Sequence, residues 1–150
     1  MLGSLDVTKV PWGNCPTAWK GQFQGKEGEA TLGLEAVADY NLWIWHSSFG
    51  FPGAMNDIVV WERSELFEAM QNGNFNKLDH QFEMDDVVFS QIYLLVDGIY
   101  PKLSRFLKSV AVPLTKKERY FAGWQEGARK DIERAFGVLK KKIISSYTQL

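Results

Sequence analysis

Four acidic residues sit where a carboxylate can do more than solvate a surface: Asp6, Asp57, Asp97 and Glu133. Asp97 stands out because it follows the apolar run Ile92-Tyr93-Leu94-Leu95-Val96 and precedes a chain-bending Gly98. A short run without polar alternation reads as a strand buried on both faces. Open α/β sheets hold their ligands just beyond the carboxyl ends of such strands, where a charge reaches water or a metal while the strand stays dry. Carboxylate oxygens are hard donors that suit magnesium or manganese. Two such ions ~3.5–4 Å apart can activate a nucleophile and neutralise the leaving oxygen of an in-line phosphoryl displacement. Each acid also has a plainer reading. Asp6 can be a strand-end residue bonded to a loop, Asp57 a helix N-cap, and Glu133 part of a solvated salt-bridge face beside Arg129, Lys130 and Arg134.

The elements that must position these acids follow from periodicity and punctuation. Leu2 to Thr8 reads as a short strand carrying Asp6, followed by a turn-rich segment to Lys26 that interleaves Trp12 and Trp19 with lysines. Ala30 to Ala38 and Leu42 to Phe49 form a β-hairpin pattern across Asp39-Tyr40-Asn41. Asn56 or Asp57 caps a helix running to about Gln71. Residues 72–90 are a polar insertion, and the Asp97 strand comes next. Leu103 to Val112 holds a short strand or a turn of helix. Thr115 with Glu118 is a capping box, opening a helical region to about Ser145 in which Gly123 and Gly127 argue against one unbroken helix. Its stripe Ala128, Ile132, Ala135, Phe136, Leu139, Ile143 puts Glu133 at the edge of the buried side. The predicted architecture is a single α/β domain over residues 1–150, a mixed sheet flanked by helices.

Composition bounds the alternatives. With 45% hydrophobic and 23% charged residues the chain is ordinary for a globular domain. Six Trp, ten Phe and five Tyr imply large packed surfaces or aromatic contacts with a partner. A formal net charge of −1 announces no global nucleic-acid affinity, although a local basic patch can sit inside that balance. The single Cys15 excludes an internal disulfide framework and a cysteine zinc site. No stretch reaches the ~18 apolar residues of a membrane span, and no signal peptide is visible. His46 and His80 are isolated, and His46 reads as a packed, hydrogen-bonded histidine. Lys20, Arg129, Lys130 and Arg134 are candidate phosphate contacts that read equally as surface charge. Trp12 and Trp19 can stack on splayed bases or anchor a loop.

Taken together, GSLDVTKVPWGNCPTAWKGQ (3–22), LEAVADYNLWIWHSSFGFPGAMND (34–57), YLLVDGIYP (93–101) and ARKDIERAFGVLK (128–140) carry a resemblance over nearly the whole chain. The sequence resembles the nuclease domain of Harbinger-type transposases of the DDE superfamily, in the plant and oomycete transposon-protein branch. That resemblance implies an RNase H-like fold and a metal-dependent DNA endonuclease that cleaves and transfers strands in the nucleus. Asp6 then matches the first acid, Asp97 the second and Glu133 the terminal glutamate. These three would be catalytic and, with Asp57 as a further acid, would bind the divalent metal, Mg²⁺ or Mn²⁺. Asp131 is a near miss on another helical face. The implied partners are DNA and a separate DNA-binding protein.

Two departures shape the expectation. Relatives carry a helical region ahead of this domain, whereas the first strand here begins within five residues of Met1. They also continue with an aromatic-rich segment where this chain has KKKIISSYTQL, so a copy truncated at both termini is expected. The competing expectation is a catalytically inactive, domesticated domain that binds protein or DNA.

Overall fold

The computed structural model describes residues 1–148. Strand β1 (Gly3–Pro11) is its axis. The hairpin β2 (Thr31–Ala38) and β3 (Ile44–Pro52) lies antiparallel on one side of β1, and β6 (Leu94–Val96) and β7 (Phe106–Lys108) lie parallel to it on the other. The five-stranded order is β3-β2-β1-β6-β7, a mixed sheet. Asp39 builds the β2–β3 turn, its carboxylate accepting from the amides of Asn41 (2.9 Å) and Trp43 (3.1 Å). Such side-chain-to-backbone bonds are what make Asp a turn residue.

The two faces of the sheet are buried by different helices. On one, Leu5, Val37, Leu94, Val96 and Phe106 pack against Trp61, Leu66 and Phe75. Those residues come from α2 (Asp57–Glu62), α3 (Glu65–Gln71) and a 3₁₀ turn (Asn74–Leu78). On the other, Val10, Leu34, Ala36 and Ala38 pack against Ile132, Ala135 and Phe136 of α4 (Lys116–Thr148). Because strand side chains alternate, Leu5 and Val10 assign the even residues of β1, Asp6 included, to the α4 face.

Several expectations are met and some are refined. The α4 capping box is present: Thr115 Oγ1 accepts from the Glu118 amide (3.1 Å) and Glu118 returns a bond to the Thr115 amide (2.9 Å). The helix then runs unbroken through Gly123 and Gly127. Both glycines are on its exposed side, so each costs only helix propensity, ~1 kcal/mol, against the burial of Ile132 and Phe136. The single helix expected up to Gln71 is two. The α2 backbone ends at Arg63, and Ser64 caps α3 by accepting from the Phe67 amide (3.3 Å). The short buried strand expected ahead of Asp97 is present and pairs over Leu94–Val96, all fully buried.

The polar insertion is more than a loop. It contains the 3₁₀ turn, whose Phe75 is buried, and a small hairpin of β4 (Phe82–Met84) and β5 (Val87–Phe89). Arg105 fastens it to the sheet. Its guanidinium forms an ion pair with Asp79 and donates to Asn76 Oδ1 (2.6 Å) and the Ile92 carbonyl (3.2 Å). Among the described residues no helix is long and apolar enough to cross a membrane.

Candidate active site

Asp6 and Asp97 are brought together by strand register. β1 and β6 pair in parallel with Gly3 opposite Leu94 and Ser4 opposite Leu95. Two residues further on, that register leads Asp6 towards Asp97, which directly follows β6, and the two carboxylates feel each other's charge. Pairing of β6 stops at Val96, so Asp97 leaves the sheet where its carboxylate can turn to solvent, and it accepts from the Gly98 amide.

Asp57 is delivered by the turn after β3. An ideal Cβ at Gly53 would lie 1.9 Å from Thr31 Oγ1, so only glycine allows the chain to turn this tightly against β2. Asn56, not Asp57, is the N-cap of α2, its Oδ1 accepting from the Val59 amide (2.9 Å). The Asp57 carboxylate is thereby left free of capping duty. Lys9 Nζ donates to the Met55 carbonyl (2.6 Å) and fixes the approach to Asp57.

The helix α4 is registered on the site by a buried amide. Gln125, fully buried, donates Nε2–H to the carbonyls of Val96 (3.0 Å), the end of β6, and Leu107 (3.1 Å), within β7. One helical turn later Arg129 reaches Asp97, Nη1 to Oδ1 at 3.5 Å. Its Nε is buried with no hydrogen-bond partner among the described residues.

The electrostatics show an excess of negative charge. Burial pushes the Asp6 carboxyl up to about 6, with the charges of Asp57 and Asp97 adding to the rise and the Val7 amide and Arg129 opposing it. Asp57 is raised too, first by burial and then by Asp97, with Lys9 opposing. Each of the three carboxylates thus lies within electrostatic reach of the other two. The buried Tyr100 hydroxyl, which has no hydrogen-bond partner among the described residues, is pushed up by burial and then by Asp6, Asp57, Glu35 and Asp97.

The remaining candidates are placed differently. Glu133 is exposed on α4 and makes no hydrogen bond or ion pair among the described residues, so it stands outside the group formed by the aspartates. It lies four residues beyond Arg129, however, on the same side of the helix. Asp131 pairs with Arg134 (3.0 Å), which answers the charge of that arginine locally. Lys130 is exposed, and Lys20 lies on a short helix, α1 (Lys20–Phe23), away from the acids in sequence. His46 Nε2 bonds the buried Glu35 Oε1 (2.9 Å), the packed role expected of it. Sequence reasoning passed over Lys9 and Gln125. Lys9 follows Asp6 by three positions in a strand, which alternation puts on the opposite face, so spacing gave no signal for it. Gln125 had only its place on the buried stripe of the helix.

Three partly buried oxygen donors with surplus negative charge have the chemistry of a site for a hard divalent cation. Among the described residues, however, no group of three or more His, Cys, Asp or Glu side chains is close enough to hold one. The donors fit such an ion in type, and their present spacing, with Arg129 against Asp97, does not enclose it.

Fold and site together define a mixed α/β domain with an acidic cluster at the mouth of its central parallel strands. The chain belongs to the plant transposon protein family, whose match covers residues 1–149. No curated protein and no solved structure matches it.

Proposed function

We propose that this chain is the catalytic domain of a Harbinger-type, DDE-superfamily transposase, an RNase H-like endonuclease that cleaves phosphodiester bonds of DNA with a divalent metal. The observation that carries the reading is that Asp6 on β1, Asp97 just past the end of the parallel strand β6, and Asp57 lie within electrostatic reach of one another. Membership of the transposon-protein family supports it. So does a mixed sheet with helices on both faces. By the same reading the protein works on nuclear DNA, over one domain with residues 72–90 as an insertion, beside a separate DNA-binding partner.

In this mechanism Asp6, Asp57 and Asp97 would hold magnesium or manganese. When bound, such an ion polarises the phosphate and lowers the pKa of a bound water. The chain's own residues do the rest. The raised affinity of Asp6 for protons marks it as the carboxylate most ready to exchange a proton for a cation. Arg129 spans the gap between α4 and Asp97 and can release Asp97 in favour of a phosphate oxygen, since its buried Nε has no partner of its own among the described residues. Glu133, one turn beyond Arg129 on the exposed side of α4, would have to turn towards the cluster to take part.

The test is cleavage of end-labelled duplex DNA in Mg²⁺ or Mn²⁺ by wild type and Asp97→Asn, with circular dichroism to verify folding. Metal-dependent cutting lost in the folded variant supports the assignment, and an Asp97→Asn protein that cuts at the wild-type rate refutes it. The exposed position of Glu133 favours a second reading, a catalytically inactive domain that binds DNA or protein. That reading requires wild type not to cut in either metal.

A further inference from the structure

At the far end of β1 from the acids, a cavity of about 450 Å³ opens between the strand end and the segment that follows it. Its size falls within the ~300–1,000 Å³ of small-molecule pockets. Trp12, Gly13, Lys20, Gly21, Gln24 and Glu29 line it. The walls are held in place by backbone. The Trp12 amide donates to the Ala30 carbonyl (2.8 Å), and the Gly25 amide to the Glu29 carbonyl (2.7 Å). Trp12 is braced from behind by an edge-on Phe23 at 5.1 Å and a tilted Trp19 at 6.1 Å.

A purely structural aromatic staple would close on itself, and this one does not. A Cβ added at Gly13 or Gly21 would meet nothing within 4 Å, so both glycines open onto free space. The charge around the cavity is mixed. Lys20 and Glu29 lie in its wall, and Lys9, further back along β1, feels the charges of both Lys26 and Asp57. Along β1, Trp12 lies six residues past Asp6, ~20 Å at ~3.3 Å per residue.

We infer that this cavity takes one unpaired base of a DNA strand, with the base against Trp12, its edge within reach of the Gln24 amide, and the flanking phosphates on Lys20, Lys26 and Lys9. An indole face and a lysine track are the elements with which proteins hold single strands without reading their sequence. The inference deepens the nuclease reading by naming the form of substrate the site engages, a DNA end or junction with an unpaired base ~20 Å from the cut. It needs no metal, so it can fail separately.

The test is fluorescence anisotropy of the full chain, without metal, on a labelled eight-nucleotide single strand and the same sequence as a blunt duplex. Wild type is expected to bind the single strand more tightly. Trp12→Ala is expected to weaken it roughly ten- to hundredfold, the loss of one stacked base. Should Trp12→Ala fail to fold, Gly21→Leu gives the same answer, because the added side chain enters open space and fills the cavity. Equal affinity for strand and duplex, or wild-type binding by Gly21→Leu, overturns the proposal. A wild type that cuts DNA yet binds no single strand removes this inference and leaves the nuclease reading standing. One that binds the strand and never cuts does the reverse.

Discussion

Two groups of carboxylates in this molecule are treated in opposite ways. Asp79 is surrounded by donors: the Arg105 guanidinium through both oxygens, and the Ile92 amide at 3.1 Å. Arg105 first, and that amide with it, hold its carboxyl down at about 2. Asp6 and Asp57, with Asp97 beside them, have three negative charges facing one arginine at 3.5 Å and a lysine already bonded to a carbonyl. A carboxylate that serves the fold is given its partners by the fold. Those at the mouth of β1 and β6 are left short of positive charge, which costs stability and makes sense where a cation or a phosphate-bound metal is to be received.

The comparison can be broken most severely at Asp97. Asp97→Asn is expected to reduce metal-dependent cleavage to the level of protein-free DNA while the melting temperature stays near wild type. Unaltered cleavage would show that the acids at the strand ends are not the working group. Arg105→Ala probes the opposite cluster. It removes the ion pair and the bonds to Asn76 and Ile92, so the insertion is expected to detach and thermal unfolding to begin earlier. Limited proteolysis should then cut first between Asn72 and Ser90, and protection equal to wild type would contradict the clamp.

A third prediction concerns pH. Asp6 has a folded pKa of about 6, above the ~3.9 of an unfolded Asp, so the folded state binds its proton more tightly. Its contribution to stability is therefore fully present below pH ~4 and lost as pH rises through 6. Asp6→Asn is accordingly expected to stabilise the metal-free protein by ~2 kcal/mol at pH 7, with no gain at pH 4. Denaturant unfolding at the two pH values checks this, and a destabilised variant at pH 7 would remove the argument for surplus charge. Asp79 has the opposite sign. The stability it contributes is present above pH ~4 and lost only as pH falls towards about 2. The smallest effect is expected at Glu133. Glu133→Gln should leave stability within ~0.5 kcal/mol but lower cleavage, because the residue has no structural partner among those described.

What could be read beforehand depended on how local the physics was. The capping box at Thr115 and Glu118 and the hairpin across Asp39 involve groups within a few residues, and both are legible as written. The strand around Asp97 was legible as buried, but its pairing with β1 was not, because register between distant strands is decided by which faces can be covered. Gly123 and Gly127 looked like breaks in α4, and the packing of Ile132 and Phe136 on the sheet overrides them. Asp57 was ambiguous between cap and ligand until Asn56 took the cap. The ion pair of Arg129 with Asp97 was hidden for another reason. It depends on Gln125 docking the helix on the carbonyls of β6 and β7, a contact with no signature in sequence. Glu133 was placed by motif, and its exposed position here is a matter of helix rotation and side-chain rotamer, which spacing alone does not determine.

The most direct measurement of the central claim is thermal unfolding at pH 7 across a titration of Mn²⁺, for wild type and Asp6→Asn side by side. Anything bound only by the folded state raises the melting temperature by mass action. The expected result is a rise in wild type that grows with metal concentration and is absent or much reduced in Asp6→Asn. No shift in wild type at millimolar metal, or an equal shift in both proteins, would contradict a cation site built on Asp6, Asp57 and Asp97.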